Sequence, residues 1–165
     1  MEKRALFRDD GDRLRFLDLL DTTTAHYGWR VHAYCLMTNH FHLVVDTPRA
    51  NVSQAMQYLN GQYAAWFNAK YRREGHLVER RFRSVTVKTP EHAVAECRYA
   101  ILNPVRAGIC AHPAEWPWSS YRATAGLARV PSFLTVEWTL ALFDGSRERY
   151  RRFVDEAVES LAEAA

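Results

Sequence analysis

Two β-like runs, residues 29–37 and 40–47, are joined by a very short turn. Such a connection between β-like runs predicts an antiparallel hairpin. The second run carries His40 and His42, and side chains alternate across a strand, so both imidazoles are expected on one face. Two imidazoles on a rigid strand are half of a metal site, although the same pattern also occurs at half-buried polar positions.

Helical patterns surround the hairpin. The other predicted elements are a helix that begins after Asp9-Asp10 and ends near His26, a helix from Asn51 or Ser53 to about Arg73, a strand over 84–88, a helix from Pro90 to Leu102, and helices over about 135–143 and 146–163. The residue before a proline is pushed out of helical geometry, so Pro104 is expected to end the helix before it. The order α-β-β-α-β-α with a helical tail indicates an α+β fold, a sheet layered with helices.

The composition is that of a globular domain of 165 residues, with a formal net charge of +3. Arginine recurs beside aromatic residues, as in Arg98-Tyr99 and Tyr150-Arg151. Guanidinium groups suit phosphate and aromatic rings stack on bases, so single-stranded nucleic acid is a candidate partner, with a solvated arginine surface as the alternative. The three cysteines show no metal spacing, and no apolar run resembles a signal peptide or a membrane span. We therefore expect a cytosolic protein without a membrane partner.

A functional site needs more than a histidine pair. Tyr99 and Asn103 are four residues apart in a predicted helix, so they project from one face, one turn apart. A tyrosine hydroxyl that faces a metal-bound phosphate is a candidate nucleophile, and a carboxamide oxygen completes a mixed nitrogen and oxygen shell. That shell suits Mg²⁺ or Mn²⁺, and zinc would also bind two imidazoles. Ordinary roles stay open, with Tyr99 as a core aromatic and Asn103 as a helix-ending residue.

Four separated motifs follow one another along the chain: Thr38-Asn39-His40-Phe41-His42, Gly75-His76-Leu77 with Arg81-Phe82, Arg98-Tyr99-Ala100-Ile101-Leu102-Asn103-Pro104-Val105-Arg106-Ala107-Gly108, and Trp116-Pro117-Trp118-Ser119-Ser120-Tyr121. In this order they resemble the REP-associated tyrosine transposases, a branch of the single-tyrosine HUH transposases that act on single-stranded DNA. The resemblance runs from about residue 5 to at least residue 126. Four ordered motifs are far more specific than the histidine pair alone.

The resemblance implies a ferredoxin-like antiparallel sheet with helices on one face and a metal-dependent DNA strand transferase activity. His40, His42 and Asn103 would be the ligands of Mg²⁺ or Mn²⁺. Tyr99 would attack the scissile phosphate and leave a covalent 5′-phosphotyrosine and a free 3′-hydroxyl, which a second strand can rejoin without ATP. By position, four arginines are expected to contact DNA: Arg81, Arg83, Arg98 and Arg106.

The implied organisation is a transposase domain over residues 1–126 and a helical extension over 127–165. The expected partner is single-stranded or hairpin DNA near hairpin-forming repeats, bound by a monomer or homodimer in the cytoplasm, in association with the nucleoid. Members of the family usually begin with one more strand, before the segment that matches Glu2–Phe7, so we expect a truncated sheet that lacks its first strand. The strand over 84–88 could then pair with 40–46, two chains could exchange elements, or the assigned start lies too far downstream.

Two other functions stay open at this point. One is a non-catalytic protein of the same fold that binds single-stranded nucleic acid. The other is a metallohydrolase whose histidine pair activates water without a covalent step. Glu79 and Glu96 could assist proton transfer in any of these schemes, but the sequence singles out neither.

Overall fold

The computed structural model describes residues 5–78 and 82–164. The helices of this part of the chain are α1 (Asp10–Tyr27), α2 (Val52–Tyr71), α3 (Pro90–Arg106), α4 (Tyr121–Thr124), α5 (Val136–Ala141) and α6 (Arg147–Glu163), with a short 3-10 helix at Pro113–Glu115. Its strands are β1 (Arg30–Leu36) and β2 (Phe41–Asp46). The α+β class and the predicted helices are confirmed, and α3 is longer than predicted.

The hairpin is formed as the sequence predicts. β1 and β2 pair antiparallel, with Leu36 opposite Phe41 beside the turn. The backbone N–H of Met37 donates to the carbonyl of His40 over 2.9 Å and closes the turn. His40 is therefore the last residue of the turn, and His42 follows inside β2.

Local capping sets both ends of α1. The Asp9 side chain accepts the backbone N–H of Asp12, and the Asp12 side chain accepts that of Asp9, so two N–H groups at the helix start have partners. Gly28 ends the helix with φ +71°, a left-handed conformation that glycine adopts without strain. Asn51 occupies the capping position of α2, but its side chain accepts from Trp29 Nε1 instead of capping the helix.

Helices lie on both faces of the hairpin. Phe41, Leu43 and Val45 of β2 pack against the core that α1 and α2 form on one face. The side chain of His42 points to the opposite face, where it meets Tyr99 of α3. The prediction of helices on one face was therefore wrong, because β1 is buried on both sides and a strand with two apolar faces needs cover on each.

The outer edge of β1 is covered by segments far along the chain. The backbone N–H of Leu36 donates to the carbonyl of Trp118 over 2.8 Å, and that of Ser120 donates to the carbonyl of Tyr34 over 3.0 Å. Thr135 makes a similar backbone contact nearer the start of the strand. The tryptophan-rich loop therefore takes part in the hydrogen bonding of the sheet and protects an edge that would otherwise be open to pairing.

Residues 84–88 are not a strand, so that prediction was wrong. In the described part of the chain the sheet consists of the β1–β2 pair, and Val85 is 64% exposed. Alternating β-branched residues favour a strand only where a partner edge accepts their backbone hydrogen bonds. The segment does not pair with residues 40–46. The ferredoxin-like sheet and its missing first strand stay predictions.

α3 continues through Pro104, so the predicted end at residue 102 was also wrong. Proline has no N–H to donate to the carbonyl of Ala100, four residues earlier. The carboxamide nitrogen of Asn103 donates to that carbonyl over 3.3 Å and to the carbonyl of Tyr99 over 2.9 Å. This side chain replaces the missing backbone donor, and the helix therefore extends by another turn.

α3 and the C-terminal helices share a second apolar core. Its buried residues are Ile101, Leu102, Tyr121, Ala125, Leu140, Tyr150 and Val154. Residues before and after 126 therefore pack together, and the division into a domain over 1–126 and an extension over 127–165 stays a prediction. Within the described ranges, no helix is long and apolar enough to cross a membrane.

Candidate active site

His40 and His42 lie side by side where the turn meets β2. Their ring centroids are 5.0 Å apart, as the alternation of side chains predicts. His40 Nδ1 is 2.7 Å from Asn39 Oδ1. A carboxamide oxygen only accepts, so this contact puts the proton of His40 on Nδ1 and the lone pair on Nε2. Histidines that ligate a metal are commonly held in this way by a second group.

His42 is half-buried, and its Nε2 is shielded from solvent and makes no hydrogen bond to a described residue. Burial lowers the pKa of His42 and the neighbouring His40 lowers it further, while Glu96 and Asn103 oppose the shift. The ring is therefore neutral near pH 7. A buried ring nitrogen without a partner costs free energy, and a ligand would recover that cost.

Tyr99 projects from α3 toward the histidine pair. Its ring meets that of His42 edge to face, with 5.9 Å between the centroids. The tyrosine is 44% exposed. The alternative that Tyr99 is a core aromatic is therefore wrong, because nearly half of the residue is accessible to solvent.

Asn103 lies one turn beyond Tyr99 on the same face of α3. Its nitrogen is used by backbone carbonyls of the helix, so Oδ1 is the end of the carboxamide that can serve as a ligand. Asn103 is close enough to His42 to influence its pKa. The alternative role that we considered for Asn103, ending the helix, is wrong, because α3 continues past it. Its role as the third metal ligand stays a prediction.

Two further side chains share this face of α3. Residues that are three or four positions apart lie on the same face of a helix, and this spacing relates positions 96, 99, 103 and 106. The guanidinium carbon of Arg106 lies 5.0 Å from the ring centroid of Tyr99. Glu96 is near enough to His42 to oppose the lowering of its pKa, and its carboxylate lies 3.4 Å from His92 Nε2. The spacing relative to Tyr99 is the sequence signal that could have singled out Glu96.

The four arginines expected to contact DNA have different surroundings. Arg81 lies outside the described residues, and Arg83 is exposed in the segment between α2 and α3. The Arg98 guanidinium lies 4.0 Å from the ring centroid of Phe153 and donates to the carbonyl of that residue, so it joins α3 to α6. Among the arginines of this set that the structure describes, Arg106 contacts Tyr99. DNA contact by any of the four stays a prediction.

The donors at this site fit a divalent metal. Two imidazoles and one carboxamide oxygen are ligands that Mn²⁺ accepts, and the buried Nε2 of His42 has no partner among the described residues. In the same ranges, no group of three or more His, Cys, Asp or Glu is placed to hold an ion. A metal held by these three donors alone would have positions left for phosphate oxygens and water.

The chain belongs to the IS200-like transposases: the family described as "Transposase IS200 like" matches residues 1–99. The matched region contains His40 and His42 and ends at Tyr99. A Haemophilus influenzae protein provisionally named a REP-associated tyrosine transposase is 28% identical over 111 residues, which are 60% of this chain and 62% of that relative. The chain thus spans less than two thirds of the relative's length. No solved structure matches the chain.

These similarities confirm the family that the four ordered motifs predict. They place the chain in a family of transposases.

Proposed function

We propose that this chain cleaves and rejoins single-stranded DNA, with Tyr99 as the nucleophile and with His40 and His42 as ligands of Mg²⁺ or Mn²⁺. The observation that carries the proposal is the approach of the exposed Tyr99 ring to His42, whose Nε2 has no partner among the described residues. A tyrosine hydroxyl beside imidazoles that can ligate a metal suits phosphoryl transfer.

The proposed step is a displacement at one phosphodiester. The hydroxyl oxygen of Tyr99 forms a bond to phosphorus while the bond from phosphorus to the 3′-oxygen breaks. The phenolic proton leaves to solvent, and the departing 3′-oxygen takes up a proton. The products are a 5′-phosphotyrosine and a 3′-hydroxyl. The phosphotyrosine keeps the energy of the phosphodiester, so the 3′-hydroxyl of another strand can reverse the step without ATP.

Each neighbouring side chain has a task in this scheme. The metal, when bound, would polarise a phosphoryl oxygen and stabilise charge on the leaving oxygen. Asn39 holds His40 in the tautomer with its lone pair on Nε2, and Asn103 would supply an oxygen ligand. Arg106 would restrain the Tyr99 ring and bring positive charge close to the phosphate.

The proposed substrate is a single strand next to a hairpin-forming repeat. Membership of the IS200-like transposases supports DNA as the partner, and the net charge of +3 is compatible with it. We propose that the chain acts on this DNA as a monomer or homodimer, in the cytoplasm and in association with the nucleoid.

The test is incubation of the full chain with labelled hairpin-bearing single-stranded DNA and Mn²⁺, followed by denaturing electrophoresis. We expect a labelled adduct that resists denaturant and that Tyr99→Phe and His42→Ala abolish. His76→Ala, which changes an exposed histidine in the loop after α2, is the control and keeps the adduct.

Other outcomes identify the rival functions. Cleavage without an adduct, which survives Tyr99→Phe, would identify a metallohydrolase. Binding that persists in chelator, with no cleavage of any hairpin substrate, would identify a non-catalytic DNA-binding protein.

A further inference from the structure

An open hollow lies where the end of α1 meets the start of α2. It has a volume of about 410 Å³ and is lined by Tyr27, Gln54, Gln57 and Tyr58. His26 stacks on Tyr58, with 6.1 Å between the ring centroids and 20° between the planes. The ring of Tyr27 lies 4.7 Å from His26 and 5.8 Å from Tyr58. We call this surface the tyrosine hollow; it is separate from the candidate active site.

The rings of the tyrosine hollow are accessible to a ligand. His26 is exposed, and Tyr27 and Tyr58 are half-buried. The residues on the inner side of α2, such as Ala55 and Met56, are buried in the neighbouring apolar cluster. The fold therefore does not enclose these three rings in its core, and aromatic surface is left toward solvent.

Polar groups that suit a nucleic acid accompany the rings. Gln54 and Gln57 are exposed on α2, and the 20-residue sequence of this helix contains no Asp or Glu. The positively charged guanidinium group of Arg49 packs against Gly28, the residue after Tyr27. A Cβ added to Gly28 would lie 3.4 Å from the guanidinium carbon. The surface offers stacking faces, carboxamides and positive charge, without a carboxylate on α2 to repel phosphate.

We infer that the tyrosine hollow binds bases of single-stranded DNA by stacking and is a second contact site for the substrate. The choice of DNA as the ligand rests on the proposed function. Stacking on an aromatic ring accepts every base, and a glutamine can pair with the edge of an adenine through two hydrogen bonds. The hollow belongs to the α1–α2 layer, whereas Tyr99 belongs to α3 on the opposite face of the hairpin. The tyrosine hollow and the candidate active site therefore contact different parts of one DNA strand, and the hollow binds DNA without cleaving it.

Photo-crosslinking tests the location directly. The full chain is irradiated with a single-stranded oligodeoxynucleotide that carries 5-iododeoxyuridine, in EDTA so that metal-dependent cleavage does not compete. We expect mass spectrometry to find crosslinks on Tyr27 or Tyr58. Crosslinks confined to other residues, Tyr99 included, would overturn the inference.

Affinity measurements test the stacking contribution. In EDTA, fluorescence anisotropy with a single-stranded oligodeoxynucleotide should show binding weakened about fivefold or more by Tyr58→Ala, the loss expected for one stacked base. Tyr58→Phe keeps the ring and should bind as the wild type does. Gln62→Ala changes an exposed residue of α2 outside the hollow and is the matched control. Unchanged affinity of Tyr58→Ala, or tighter binding of an oligoribonucleotide of the same sequence, would overturn the inference.

The adduct assay separates this inference from the proposed function. If no hairpin DNA forms an adduct but binding in EDTA still depends on Tyr58, the proposed function fails and the base-binding hollow stands. If the adduct forms and Tyr58→Ala binds DNA as the wild type does, the inference about the hollow fails and the proposed function stands.

Discussion

The side-chain amide of Asn103 donates to the backbone carbonyl of Ala100, 3.3 Å away, and this is the carbonyl that Pro104 leaves without a helical donor. The same amide donates to the carbonyl of Tyr99 over 2.9 Å. Because the nitrogen is committed to the helix, the oxygen is the end that a metal at the histidine pair would meet. The position of this one side-chain amide therefore explains both the length of α3 and the orientation of a candidate metal ligand.

A double-mutant cycle tests this relationship. Asn103→Ala should lower the free energy of unfolding by about 1 kcal/mol, the usual net value of a lost hydrogen bond. In a Pro104→Ala background the backbone N–H of residue 104 can donate to Ala100, so the same change should cost less. Urea denaturation of the four proteins measures the coupling, which we expect to be about 0.5 kcal/mol or more. Equal costs in the two backgrounds would show that Asn103 does not replace the missing donor.

The sequence correctly predicted those elements whose ends depend on interactions between residues only a few positions apart. Asp9 and Gly28 set the ends of α1 through capping within a few residues, and the short turn set the hairpin. The same is true of much of the site. The contact between His40 and His42 follows from alternation along a strand, and the common face of Tyr99 and Asn103 follows from helical spacing.

The structural features that the sequence did not predict depend mainly on contacts between segments far apart in the chain. The alternation over 84–88 is typical of a strand, but only a partner edge makes it one, and this segment does not pair with residues 40–46. The outer edge of β1 is covered by the loop at residues 118–120, a contact between distant segments that local patterns do not show. The rule that proline ends a helix failed at Pro104 because a neighbouring side chain supplied the donor. Glu96 and Arg106 had the right spacing, yet only the packing of α3 against the hairpin shows which face of the helix carries the site.

Arg106 should affect chemistry more than folding. Its guanidinium lies over the Tyr99 ring, and an exposed contact of this kind contributes up to about 1 kcal/mol, or about fivefold in rate. We expect Arg106→Ala to slow single-turnover adduct formation by about that factor and Arg106→Lys to slow it less, with little change in thermal stability. Arg129→Ala removes an exposed charge from a loop outside the site and is the control. An equal loss of rate in both alanine variants would point to net charge alone.

Metal binding should be visible without any reaction. A ligand at ten times its dissociation constant stabilises the folded state by about 1.4 kcal/mol, which is about 3–6 °C for a chain of this size. We expect Mn²⁺ to raise the unfolding temperature of the wild type and of His76→Ala, but not of His42→Ala, and EDTA to reverse the shift. Differential scanning fluorimetry measures it. A shift of the same size in His42→Ala would assign the ion to another site.

The acid stability of the fold should depend on an ion pair between α1 and α2. Lys70 Nζ lies 2.8 Å from Asp9 Oδ2 and 2.7 Å from Asp12 Oδ1. The hydrogen bond from Lys70, followed by that from the backbone N–H of Asp12, lowers the pKa of Asp9 from 3.8 to about 2. The folded state therefore binds this proton at lower pH than the unfolded state does. The contribution of Asp9 is complete above about pH 4 and is lost as the pH falls toward about 2.

Lys70→Met isolates the part of this pH dependence that comes from the ion pair. We expect the free energy of unfolding of the wild type to fall between about pH 4 and pH 2, and to fall less steeply in Lys70→Met, because the pKa of Asp9 then lies closer to its unfolded value. The capping hydrogen bond from Asp12 remains, so part of the slope should persist. Urea midpoints across this range measure both slopes. If the slopes are equal, Lys70 does not set the pKa of Asp9, and the acid sensitivity of α1 comes from its cap alone.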